Sequence, residues 1–145
     1  MDVSAARAGA AELEVAFAIR RAVFVAEQGV PPELEADGLD PSAEHFLARV
    51  GPLPVATARA RRTDRGWKIE RVAVLAPQRG LGVGMALVRR VLELAPPGLV
   101  PYVHAQESAL GFWQRAGFVA EGPSFDEAGI RHRWMRWSAA ANAPA

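Results

Sequence analysis

Three glycines at alternate positions, Gly80, Gly82 and Gly84, stand between an apolar run and an uninterrupted helical pattern in the stretch VAVLAPQRGLGVGMALVRRVL, residues 72–92. A helix start offers unpaired N–H groups and the positive end of the helix dipole, which together attract phosphate. Glycine lets the backbone come close to an anion and take conformations barred to other residues. Arg79, directly before the first glycine, adds a fixed positive charge. The chemistry open to this segment is phosphate binding, with a ligand-free glycine turn as the alternative. Spacing removes two versions of it. A Walker loop needs G-x-x-x-x-G-K-[ST], but counting on from Gly80 arrives at Met85 and Ala86, and the chain has no Gly-Lys pair. A dinucleotide fingerprint needs G-x-G-x-x-G and an acid about 20 residues further on. Here the third glycine comes one residue early, and the next strand ends in YVHA without an acid.

The elements that must position this segment follow from periodicity. Residues 3–8 read as a short first strand, and over 11–28 Leu13, Ala16, Phe17, Val23 and Phe24 recur at helical spacing. Gly29 and the pair Pro31-Pro32 end that helix. A loop to Ser42 carries the acids Glu33, Glu35, Asp37 and Asp40. EHFLARV and PVATARARR read as strands, the second alternating small apolar residues with arginines. TDRG (63–66) is hairpin-turn chemistry and WKIERVAVL is the partner strand. The glycine segment opens a helix to about residue 95. GLVPYVHA is a strand, SALGFWQRAG a short helix with Gly117 as its C-cap, and FVAEG and IRHRWMRW a closing antiparallel pair. The order β-α-β-β-β-α-β-α-β-β is a mixed α/β sheet and not an alternating parallel one.

The whole chain fits one domain, with 145 residues of which half are apolar and about a quarter charged. A single domain is expected over residues 1–137, with a frayed tail over 138–145. Cysteine is absent, which removes thiolate metal sites and cysteine nucleophiles, and Asp37-Gly38-Leu39-Asp40 lacks the oxygen spacing of a calcium loop. No metal is expected. A net charge of +1 gives no global pull towards nucleic acid or an anionic membrane, so neither is expected as a partner. The arginines of the hairpin, Arg59, Arg61, Arg62 and Arg65, read as a solvated polar face. No apolar run approaches the roughly 20 residues of a membrane span, and MDVSAARAGAAELE lacks the apolar core of a signal peptide, so the expected location is the cytoplasm.

With spacing and elements in place, Gln78-Arg79-Gly80-Leu81-Gly82-Val83-Gly84-Met85 resembles the pyrophosphate-binding motif Q/R-x-x-G-x-G/A of the GNAT superfamily of acyl-CoA N-acyltransferases, with Arg79, Gly82 and Gly84 matching its arginine and two glycines. Downstream, AQESALGFWQRAGF resembles the family's N-x-x-A-x-x-[FL]-Y-x-x-x-G-F. Both occur at the expected separation with a strand between them, and the resemblance spans roughly residues 1–137. It implies a central, mostly antiparallel sheet flanked by helices, acetyl-CoA as acyl donor, and N-acetyltransferase activity.

Carried onto this chain, the resemblance implies that Val72, Ala73 and Val74 bind the pantetheine arm through their backbone, and that the pyrophosphate sits on the amides of residues 79–85. Gln106 stands where the family has Asn and keeps the amide; Ala109 and Phe112 fall in the same motif. Trp113 stands where the family has a tyrosine that protonates the leaving thiolate, a task an indole N–H cannot perform near neutral pH. Acyl transfer also needs a neutral amine, hence a base. Glu70, at the start of the strand beside the cofactor, is the first candidate and His104 the second, with Tyr102 on the same strand face as His104.

The expected reaction is direct attack of a bound primary amine, of a small molecule or a peptide, on acetyl-CoA in a ternary complex. There is no cysteine and no Ser-His-acid arrangement to carry a covalent intermediate. The acids of the 33–44 stretch, Glu44 included, would favour a cationic acceptor, with a solvated loop as the plainer reading. Two other classes stay open: a catalytically weak acyl-CoA-binding regulator, suggested by Trp113, and an interaction module whose glycines are structural. Monomer and homodimer are equally compatible with the sequence.

Overall fold

A computed structural model describes residues 2–139; residues 140–145, most of the stretch read as a tail, lie outside the described residues. The strands β1 (Val3–Arg7), β2 (Glu44–Val50), β3 (Leu53–Thr63), β4 (Gly66–Val74), β5 (Pro101–Gln106), β6 (Phe118–Glu127) and β7 (Ile130–Trp137) follow the hydrogen-bonded order β1-β2-β3-β4-β5-β7-β6. Among the described residues no helix is long and apolar enough to cross a membrane. Two compact units are distinguished, Met1–Arg61 with Ile69–Leu94, and Arg62–Lys68 with Ala95–Ala145.

The first unit opens with β1 (Val3–Arg7), then α1 (Leu13–Arg20), which runs on as a π-helical segment over Arg21–Glu27. The 3.6-residue pattern therefore marks one continuous helical stretch but not its change of pitch. Next comes α2 (Pro32–Glu35), one turn long, where a loop is expected from sequence. The proline pair that ends the previous helix also starts this one, since proline's fixed φ suits a first helical turn. β2 (Glu44–Val50) pairs antiparallel with β1 and with β3 (Leu53–Thr63), with Phe46 opposite Ala58. β4 (Gly66–Val74) follows, and α3 (Val83–Glu93) closes the unit.

Period-2 alternation gives β2 two buried faces. Leu47 packs with Ala16, Ile19 and Val23 of the first helical stretch and with Ala73 of β4. Leu87, Val88 and Val91 of α3 are fully buried, and α3 packs against β1 and β2. Burying each such aliphatic side chain contributes roughly 1.5–3 kcal/mol. The alternation in β3 has an outcome opposite to the expected solvated face. Arg59, with Thr57 on one side and Arg61 on the other, is 0% exposed.

In the second unit the start of β4 pairs parallel with β5 (Pro101–Gln106), through Trp67↔Pro101 and Lys68↔Tyr102. Gly66 is required there: at φ +135 a Cβ would lie 2.3 Å from the Val100 carbonyl oxygen. α4 (Leu110–Arg115) leads into β6 (Phe118–Glu127) and β7 (Ile130–Trp137), and β7 pairs antiparallel with both β5 and β6. The C-cap of α4 is Ala116, one residue before the expected Gly117, and Gly117 follows it at φ +100, the left-handed position past the cap that glycine favours. The two-residue β6–β7 turn has positive φ at both Ala128 and Gly129, the twist that suits a tight hairpin. With one parallel contact and the rest of the described pairings antiparallel, the fold is the mixed α/β sheet expected from the element order.

Candidate functional site

The glycine segment is a turn between β4 and α3. Leu75 donates to the Val55 carbonyl, a 3-10 turn over Ala76–Gln78 uses Pro77 at its start, and Arg79 is extended. Gly80 and Gly82 then take φ +78 and +82, conformations that cost other residues roughly 1–2 kcal/mol. A Cβ built on either meets nothing within 4 Å. The glycines thus serve conformation and leave open space, and do not relieve a crowded packing. Gly82 is the N-cap of α3 and brings no side-chain cap, while its carbonyl accepts from Ala86. The first-turn amides, from Val83 through Gly84 to Met85, lack a side-chain cap and sit at the positive end of the dipole. Buried Val83 and Leu87 anchor this turn and exposed Leu81 stands out from it. A pyrophosphate group fits that arrangement of donors.

Arg79 is already engaged. Its Nε donates to the Val74 carbonyl at 2.9 Å, and Nη1 and Nη2 donate to the Glu27 carboxylate at 2.5 and 2.8 Å. The hydrogen bond from Arg79 holds the Glu27 carboxyl below the usual carboxylate range. Val72, Ala73 and Val74 occupy the last third of β4, and the Val74 carbonyl is the one Arg79 covers.

Glu70 lies in a charged network inside the first unit. Arg61 donates to it through Nε at 2.6 Å and Nη2 at 3.2 Å, Arg59 makes an ion pair with it, and its side chain is 8% exposed. Arg59 also donates to Asp37 and Asp40, and Arg20 to Glu35 and Asp40. Arg71, at φ +54, reaches the carbonyls of Leu34 and Glu35 and the Asp37 carboxylate. Four guanidinium groups face four carboxylates, so the cluster is charge-balanced. The Arg59 hydrogen bond keeps the Asp37 carboxyl well below its ordinary range. Burial pushes Asp40 up, but Arg20 and Arg59 together prevail and lower it. Of the acids that promised a cationic acceptor, Glu35, Asp37 and Asp40 therefore hold the loop to β3 and β4, and Glu44 pairs with Arg7 at 3.0 Å.

In the second unit His104 Nδ1 lies 3.0 Å from Glu127 Oε1, and the imidazole is 24% exposed. The hydrogen bond to His104 lowers the Glu127 carboxyl. Tyr102 is buried, bonds Thr63 through its hydroxyl at 2.6 Å and stacks on Trp134. Gln106 ends β5 and starts the 3-10 turn Glu107–Ala109. Trp113 is 7% exposed, edge-on to Phe112 and to Phe118. It is a packing residue of α4 against β6, whatever else it does.

The structure puts Gln78 at the end of the 3-10 segment, Arg79 to Gly82 in the turn and Val83 to Met85 in the first turn of α3, and puts His104 and Gln106 on one strand face. Sequence reasoning did not single out Glu27 and Glu127. Each is the long-range partner of a predicted residue, and nothing in local spacing signals it.

A model of the acetyltransferase (GNAT) domain matches residues 7–139. The uncharacterized N-acetyltransferase YjcF of Bacillus subtilis is 36% identical over 127 residues, covering 86% of this chain and 91% of that protein. The crystal structure of an acyl-CoA N-acyltransferase from Pseudomonas aeruginosa superposes with a TM-score of 0.80 at 29% identity, over 94% of this chain and 99% of that one. That of Escherichia coli ElaA gives 0.79 at 28% identity, over 95% and 100%. The glycine turn, the mixed sheet and these likenesses agree: the chain belongs to the GNAT acetyltransferase family.

Proposed function

We propose that this protein transfers an acetyl group from acetyl-CoA to a primary amine by direct attack in a ternary complex. The observation that carries the reading is the uncapped start of α3 behind left-handed Gly80 and Gly82, with open space where their side chains would be. The amides of residues 79–85 would hold the pyrophosphate, and the backbone of Val72, Ala73 and Val74 the pantetheine arm. When bound, acetyl-CoA supplies an activated acyl group on a thiol that leaves readily. Gln106, Ala109, Phe112 and Trp113 belong to the same reading through the second motif.

Two side chains stand as proton acceptors. The Glu70 oxygens take N–H bonds from Arg61 and the charge of Arg59, whereas His104 is more exposed and pairs with a carboxylate. His104 suits the role better, and Glu70 suits the holding of β3 to the loop.

Calorimetry with acetyl-CoA tests the cradle, with Gly82→Glu as its control: the variant stays folded and loses binding. Retained affinity in that variant refutes the cradle. A second reading, an acyl-CoA-binding regulator with little turnover, draws on the packed indole of Trp113. Binding without thiol release across spermidine, glucosamine and a lysine peptide would select it.

A further inference from the structure

One face of the second unit gathers titratable groups around His104. Glu127 of β6 meets its Nδ1 at 3.0 Å, and His132 of β7 places Nε2 at 3.7 Å from the other oxygen of the same carboxylate. Lys68 of β4 adds its charge to Glu127, and Tyr102 precedes His104 by two residues with its hydroxyl tied to Thr63. Phe125 sets the ring planes, edge-on to His104 at 5.1 Å and stacked on His132 at 5.9 Å. An ionised carboxylate can only accept, so the imidazole atom facing Glu127 carries the hydrogen, and in the neutral ring Nε2 is then the nitrogen with the free lone pair. His132 is bound differently: its Nδ1 donates to the Ile130 carbonyl at 2.7 Å, and its ring is buried.

We propose that Glu127 is a positioning residue for acetyl transfer: it holds His104 as the Nδ1–H tautomer, so that Nε2 takes a proton from the ammonium group of the acceptor. This inference rests on the acetyl-transfer reading above. His104 Nε2 gains the proton and the amine nitrogen recovers its lone pair. The C–N bond then forms as the C–S bond breaks, the electron pair leaves on sulfur, and the second proton of the nitrogen goes to that thiolate. The imidazolium on His104 is balanced by the Glu127 carboxylate and returns its proton to solvent.

The experiment follows thiol release from acetyl-CoA with spermidine, glucosamine and a lysine peptide across pH, for the wild type, His104→Gln, Glu127→Gln and Glu127→Asp. Nitrogen NMR of the histidine rings runs in parallel. Removing the carboxylate charge disfavours the imidazolium. Glu127→Gln therefore lowers kcat/KM with little change in KM and moves the ring-nitrogen resonances of His104, and Glu127→Asp restores part of both. His104→Gln loses roughly a hundredfold in rate. Glu127 is half-exposed, so its variants are expected to fold. Thiol release at the wild-type kcat/KM with unchanged His104 ring-nitrogen resonances in both Glu127 variants overturns this inference and leaves acetyl transfer standing. No thiol release with any of the three acceptors overturns the acetyl-transfer reading itself, and this inference with it.

Discussion

Arg79 and Glu27, separated by 52 positions in sequence, form a two-pronged ion pair at 2.5 and 2.8 Å at the mouth of the glycine turn. The motif arginine is therefore neutralised by a carboxylate from the end of the first helical stretch, while its Nε covers the Val74 carbonyl. On the acetyl-transfer reading proposed above, a bound pyrophosphate and Glu27 would compete for one guanidinium.

Glu27→Gln should consequently raise affinity for coenzyme A, by roughly two- to fivefold at low ionic strength. Both partners are well exposed, so the gain should shrink as salt is added. Calorimetric titrations at two salt concentrations read this directly. An affinity unchanged at low salt would mean that the pair orients Arg79 and does not withhold it.

The Arg59 cluster predicts a stability effect. Arg59→Met leaves Asp37, Asp40 and Glu70 facing each other with one guanidinium fewer, and breaking a buried pair from one side typically costs about 3–5 kcal/mol. Denaturant unfolding should show the loss in full. A shift below about 1 kcal/mol would indicate that water enters the cluster and screens it.

The same cluster sets an acid limb. The carboxyls of Asp37 and Asp40 are depressed in the folded protein, so each stabilises it above the unfolded aspartate value and that stability is lost as pH falls through the folded value. Stability should thus decline as pH drops below about 4. Asp37→Asn should flatten that decline while lowering stability at neutral pH. A melting series against pH checks both halves, and an unchanged acid limb in the variant would remove Asp37 from the account.

The short apolar stretches EHFLARV and IRHRWMRW, and the glycine spacing ahead of α3, made the strands and the glycine turn legible because both depend on neighbours within a few residues. Arg59 was not legible. Its place among alanines in TARARR has the pattern of a wet face, and only the acids of the 35–40 stretch, brought over by α2, make it buried. The π-helical pitch over Arg21–Glu27 leaves no signal in apolar spacing. Glu127, the neighbour of His104, lies across the β6–β7 hairpin, where pairing register and not local sequence brings the two together.

Trp113 supplies the last prediction. Its indole is packed edge-on against Phe112 and Phe118, each at a ring separation of 5.2 Å, and an indole N–H does not release a proton near neutral pH. If packing is its whole role, Trp113→Phe should keep thiol release from acetyl-CoA near the wild-type rate and cost a modest amount of stability. Trp113→Ala should cost about 3–5 kcal/mol through the cavity it leaves. Measured together, turnover and unfolding separate the roles. A Phe variant that stays folded yet loses turnover by tenfold or more would place the indole at the reacting groups, and a Tyr variant faster than wild type would mean that this site gains from an acid it lacks.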